Sequence, residues 1–281
     1  MYGWPQKRTC HTPLLNSWLE TGLSRQCGSH LCPYFSSQFY CAKEYKVNPG
    51  AIESARPPTE AEFDSFASHY EELHASSIKI TGETPEYFAA YKASYIARIL
   101  PPGPCRILDY GCGIGMLSRH LLREVPHARV DGFDPSQESI ARIDAILRAQ
   151  GIFTSNSDLL SSNYDLIAIA NVLHHVKPDD RQDLIDRVTL RLAPMGKLVI
   201  FEHNPANPLT RWAVAHCAFD GDAILLWPGE TIKYLKRAGL TTARDYIVFF
   251  PRWLGSLRRF EPLLRSCPLG AQYAVIGAKS T

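Results

Sequence analysis

Apolar residues recur along this chain in two periods, and the switching between them lays out its elements. Thr59-Glu60-Ala61-Glu62 has the reciprocal capping pattern of a helix start, and Phe63, Phe66, Tyr70 and Leu73 follow at helical spacing. Thr84 with Pro85 opens a second helix, whose stripe runs through Tyr87, Phe88, Tyr91, Tyr95, Ile96 and Ile99. From there short apolar runs alternate with helical patterns. The runs fall at 106–108, 128–134, 152–154, 165–170, 197–203, 244–250 and 272–278. The helices between them open near Met116, Ser136, Pro178 and Glu230. Near-continuous apolar strands separated by helices predict an α/β fold, a Rossmann-like seven-stranded sheet, mostly parallel, with helices on both faces.

The first run ends in an acid, Asp109, and Gly111, Gly113 and Gly115 follow at alternate positions. Such a segment is a buried strand turning sharply into a helix, with backbone bared where a ligand approaches. The helix from Met116 to about Val125 is stopped by Pro126. A nucleotide-like ligand then lies across the carboxyl end of the strand. A dinucleotide fold wants its third glycine where Met116 stands, which disfavours a nicotinamide oxidoreductase. Asp134 lies 23 residues beyond Gly111 and ends the second strand, placed to accept from ribose hydroxyls. A plain helix-start acid would occupy the same place.

The form Asp109-Tyr110-Gly111-Cys112-Gly113-Ile114-Gly115 resembles motif I of the class I S-adenosylmethionine-dependent methyltransferases. Strand 165–170 followed by Asn171-Val172-Leu173-His174-His175-Val176 resembles motif IV of their small-molecule members, related to the ubiquinone-biosynthesis type. Ala193-Pro194-Met195-Gly196 matches the family's L-x-P-G-G-x-L turn with Met195 in place of a glycine. The resemblance covers residues 59–281. It implies S-adenosylmethionine as cofactor, an antiparallel last strand, and N-terminal lid helices over 59–100. It also implies lid insertions at 204–228, with Trp212, His216, Phe219 and Trp227, and at 251–270. Cofactor binding falls on Asp109, which helps to fix the ammonium group, and on Gly111, Cys112, Gly113, Gly115, Asp134, Pro135, Asp158, Asn171 and Tyr70. Tyr70 or Tyr91 would reach the sulfonium or the carboxylate, unless both aromatic stripes serve only packing. Asp158 or Ser157, in the polar stretch 155–163, would neighbour the adenine.

Glu202, His203 and Asn204 close the fifth strand, on the edge where open α/β sheets place ligands, and are candidates for the acceptor pocket. Methyl transfer from a sulfonium asks mainly for positioning, but a hydroxyl acceptor must also lose a proton, which suits a histidine. His203 is the first candidate base and His174 the second. Neither E-x-x-D-H nor D-x-[DN]-x-[DN] occurs, so no metal is expected. The expected function is methyl transfer to a small-molecule or glycan/lipid-linked acceptor, at oxygen. A non-catalytic or partner-dependent cofactor-binding subunit, and N- or C-methylation of a metabolite, stand as alternatives.

Charge and cysteines narrow the setting. The net charge of +2 argues against a nucleic-acid footprint, as does the lack of a stacking aromatic after the fourth strand. Residues 1–50 carry five Lys/Arg against two Asp/Glu, show no periodicity, and read as a leader outside the domain 51–281, disordered or non-native. A transit peptide or a zinc set from Cys27, His30, Cys32 and Cys41 is the alternative there, though paired C-x-x-C spacing is absent. The eight cysteines read as reduced thiols of a cytoplasmic protein, a monomer or homodimer. The stretch 252–265 interleaves Trp253, Leu254, Leu257, Phe260, Leu263 and Leu264 with arginines. It predicts an amphipathic helix, a cleft wall or a weak contact with a membrane surface.

Overall fold

A computed structural model describes residues 82–217, 221 and 223–279. The leader 1–50, the helix expected from Thr59, Tyr70 and Phe219 lie outside the described residues. Helix α1 spans Pro85–Ile99 and leads into strand β1, Cys105–Tyr110. Then come α2 (Met116–Glu124), β2 (Ala128–Phe133), α3 (Gln137–Ala141), α4 (Ala145–Gln150) and β3 (Phe153–Thr154). The second half runs β4 (Tyr164–Ala170), α5 (Arg181–Thr189), β5 (Leu192–His203), α6 (Pro208–Ala215), α7 (Pro228–Arg237), β6 (Thr241–Ile247) and β7 (Gln272–Ala278).

The strands form one sheet in the order β3-β2-β1-β4-β5-β7-β6. All pairings from β3 to β5 are parallel, and β7 enters antiparallel to both β5 and β6, as expected. The winding reverses between β1 and β4, so a crevice opens at their carboxyl ends. Alternate residues face two cores. Leu108, Ile167, Ile169, Leu198 and Ile200 pack with Leu184, Ile185 and Val188 of α5 and Leu235 of α7. Ile107, Leu166, Ala168, Val199 and Phe201 pack with Phe88, Ala93 and Ile96 of α1 and Leu117 and Leu121 of α2. Helices α1 and α2 also pack on each other beside the crevice.

Three expected elements change shape. The single helix read from Ser136 is two short ones, because two caps lie eight residues apart: Ser139 N–H donates to Ser136 Oγ (3.0 Å) and Leu147 N–H to Asp144 Oδ1 (2.9 Å). Strand β6 starts and ends three residues before the expected 244–250, and Val248 follows it with φ +60°. The stretch 252–263 is a 3₁₀ segment kinked at Leu254 and carrying Pro262, not an amphipathic α-helix, and it leaves Trp253 and Leu263 exposed. No described helix is long and apolar enough to cross a membrane.

Candidate active site

The loop after β1 is built by backbone. Gly111 N–H and Cys112 N–H both donate to Phe133 O, at 2.7 and 2.9 Å, tying the end of β1 to the end of β2. Asp134 clasps the loop from the other side: its carboxylate accepts from Gly113 N–H at 2.8 Å and from Ser136 N–H at 3.0 Å. Gly111 has φ +82°, and a Cβ there would stand 2.3 Å from Val172 Cγ2. Gly113 has φ +51°, and a Cβ there would meet nothing within 4 Å, so this is the open side of the loop. Gly115 instead faces Leu147 and Ile143. Cys112 is buried with Ile143, Leu147 and Phe153, and burial, with the charges of Asp109 and Asp134, pushes its thiol well up. Its side chain braces the loop.

Asp109 is 1% exposed and accepts from Ser118 Oγ at 2.7 Å. Burial pushes its pKa up to about 6, against the Ser118 hydrogen bond. Asn171, just past β4, takes φ +57°, and its buried Oδ1 has no hydrogen-bond partner among the described residues. Beyond β2 and β3, Pro135 is exposed, and so is Asp158, on the 3₁₀ turn Ser157–Leu159. These residues fit a nucleoside bearing an amino-acid end. Gly113 leaves room for it, Asp134 stands at the end of β2 where ribose hydroxyls would lie, and Asn171 Oδ1 awaits a donor.

At the ends of β4 and β5 the site is made of side chains. Glu202 is 1% exposed; its Oε1 accepts from Leu173 N–H at 2.8 Å and its Oε2 meets His174 Nδ1 at 2.5 Å. Burial raises the Glu202 pKa, but the charge and hydrogen bond of His174, the charge of His203 and the Leu173 N–H outweigh it, so the carboxyl lies below its ordinary value. The His203 ring lies 5.2 Å from that of His174, and the His175 ring 4.2 Å. His174 is 2% exposed, whereas His203 is half-buried.

Of the three residues expected at the end of β5, Asn204 leaves the pocket. It is fully buried and donates to Pro268 O (2.9 Å) and Gly270 O (2.7 Å) while accepting from Ala206 N–H (3.1 Å), so it is spent on holding the chain turn. Two features were not foreseen. The Glu202–His174 pair joins residues 28 apart, which no local pattern announces. Lys92 sits on the buried stripe of α1, 6% exposed, with its ammonium 6.0 Å from the Phe201 ring centre. The only hint was its place four residues from both Phe88 and Ile96. Among the described residues no cluster of His, Cys, Asp and Glu has the makings of a metal site.

Known proteins share part of this sequence and its fold. Residues 108–198 match the family model of a methyltransferase domain. A ubiquinone biosynthesis O-methyltransferase of Xylella fastidiosa is 26% identical over 193 residues, 63% of this chain and 76% of that protein. A S-adenosylmethionine-dependent methyltransferase structure from Archaeoglobus fulgidus aligns with TM-score 0.57 at 14% identity, covering 76% of this chain and 100% of that one. The plantazolicin methyltransferase BpumL, solved with S-adenosylhomocysteine and a monoazolic desmethyl analogue, aligns with TM-score 0.56 at 18% identity, covering 79% and 95%. Fold, loop and matched sequence together support a class I S-adenosylmethionine-dependent methyltransferase, with S-adenosylmethionine as its cofactor.

Proposed function

We propose that the protein methylates a hydroxyl oxygen of a small-molecule acceptor, free or linked to a glycan or lipid, with His203 taking the proton. The observation that carries this is the buried Glu202–His174 pair, 2.5 Å apart, with the His203 ring 5.2 Å from His174. The similarity to a protein named an O-methyltransferase supports the choice of oxygen. The cofactor supplies a methyl group already activated by its sulfonium. The glycine loop and Asp134 hold the donor still, and the ends of β4 and β5 hold the acceptor in line with it, which is where most of the rate arises.

The proton needs a base within reach of the acceptor. His174 is closed in by Glu202 and its neighbours, so the half-buried His203 is the ring that meets the hydroxyl. Once His203 is protonated, the ionised Glu202 and its His174 partner stabilise the imidazolium, as a buried carboxylate does for a neighbouring histidine. The test is to incubate the protein with S-adenosylmethionine and a panel of hydroxylated small molecules, locating the new methyl by mass spectrometry and NMR. An O-methyl product, with kcat lost in His203→Ala, bears the proposal out. A methyl found on nitrogen or carbon, or full kcat in His203→Ala, contradicts it.

A further inference from the structure

Two Lys or Arg side chains are buried among the described residues, and they are treated differently by the fold. Arg181 is hydrogen-bonded: its guanidinium donates to Val176 O and Ile224 O, both at 2.9 Å. Lys92 is 6% exposed, and no hydrogen bond from a described residue holds its ammonium. It lies over the Phe201 ring at 6.0 Å and feels the charges of Glu202 and Asp109. Both carboxylates are already engaged, Asp109 by Ser118 and Glu202 by Leu173 and His174. A lysine ammonium carries three donors and no acceptor, and leaving such a charge buried without bonds is costly.

Its position gives that cost a use. Asp109 ends β1 beside the glycine loop, and Phe201 and Glu202 end β5 beside His203. The Lys92 ammonium therefore stands on the α1 side of the sheet, over Phe201 of β5 and within range of the charges of Asp109 and Glu202. Burial drives its pKa down to about 8 against the pull of the two acids, which leaves it mostly charged at neutral pH. An anionic group arriving in the crevice would supply the hydrogen bonds that the described residues do not.

We propose that Lys92 pairs with a ligand carboxylate in this crevice, carried either by the amino-acid end of the cofactor or by an acidic acceptor. The proposal rests on the methyltransferase assignment above. The test is calorimetric titration of wild type, Lys92→Met and Lys92→Arg with S-adenosylhomocysteine and with 5′-methylthioadenosine, which lacks the amino-acid end. If the carboxylate is the cofactor's, Lys92→Met binds S-adenosylhomocysteine about tenfold or more weakly. Lys92→Arg then recovers part of the loss, and 5′-methylthioadenosine binds all three alike. If it is the acceptor's, both nucleosides bind alike. The protein saturated with S-adenosylhomocysteine then binds 3,4-dihydroxybenzoate more tightly than catechol, a preference that Lys92→Met abolishes.

Unchanged S-adenosylhomocysteine affinity in Lys92→Met, together with no Lys92-dependent preference for the benzoate, overturns the proposal. Equal binding of 5′-methylthioadenosine certifies that the variants are folded around the adenosine half. Failure of wild type to bind either nucleoside is a separate result: it would bring down the cofactor assignment itself, and this proposal with it.

Discussion

The two halves of the crevice are built by different means. The cofactor half, at the ends of β1 and β2, is backbone: positive-φ glycines, N–H groups donating to Phe133 O, and an acid that clasps the loop. The half proposed for the acceptor, at the ends of β4 and β5, is side chains brought together from distant segments: Glu202 with His174, and His203 beside them. A backbone cradle suits a ligand that is always the same. A side-chain lining is what a chain alters to change its acceptor.

The sharpest way to break that comparison is to disable one half and watch the other. In Glu202→Gln the methyl transfer rate should fall by about a hundredfold or more, the usual worth of a placed proton acceptor and its partner. S-adenosylhomocysteine affinity should stay unchanged. Single-turnover rates and titration calorimetry on the same preparation check both, at a temperature where the variant is folded, since a stranded buried histidine also costs stability.

Asp109 offers a pH test of the cofactor half. Its folded pKa of about 6 exceeds the ordinary 3.8, so the folded protein holds this proton longer than the unfolded chain does. Its contribution to stability is therefore full below pH 3.8 and is lost as the pH rises through about 6. Asp109→Asn, always neutral, should gain on wild type by about 2 kcal/mol between pH 4 and 7, measured by urea unfolding without ligand. A constant difference across that range would mean that Asp109 is not the buried acid described.

Gly113 separates folding from binding. Because a Cβ there meets no protein atom within 4 Å, Gly113→Ala should cost about 1 kcal/mol of stability through its positive φ alone. It should nevertheless weaken S-adenosylhomocysteine binding strongly, since the added methyl enters the space left for ligand. Urea unfolding and calorimetry read the two effects separately.

The smallest effect lies outside the crevice. Met195, where the family pattern has a glycine, holds φ +65° and is exposed, so Met195→Gly should relieve strain and stabilise by less than about 1 kcal/mol. A destabilised variant in thermal unfolding would show that the methionine side chain packs usefully.

The same contrast explains what the sequence made legible. The sheet and the glycine loop were readable because each rests on a local pattern: apolar runs, alternate glycines, and an acid 23 residues on. The Glu202–His174 pair was not, because Glu202 lies on β5 and His174 on the turn after β4, and only the fold brings β4 beside β5. Asn204 misled for a related reason. A polar residue at the right edge looks like a ligand contact until its amide is seen serving Pro268 and Gly270. Lys92 was hidden by its stripe, since aromatic neighbours at helical spacing read as packing. The 252–263 segment shows the limit of periodicity, because Pro262 and the kink at Leu254 override its amphipathic spacing.

The central claim is that donor and acceptor sites are separate constructions meeting at one sheet edge, and thermal unfolding with saturating S-adenosylhomocysteine tests it most directly. At about 100 times its Kd the ligand adds about 2.7 kcal/mol, a rise in Tm of roughly 2–4 °C. Wild type and Glu202→Gln should both show that rise, and Asp134→Ala should lose it. A full rise in Asp134→Ala, or its loss in Glu202→Gln, would contradict the account.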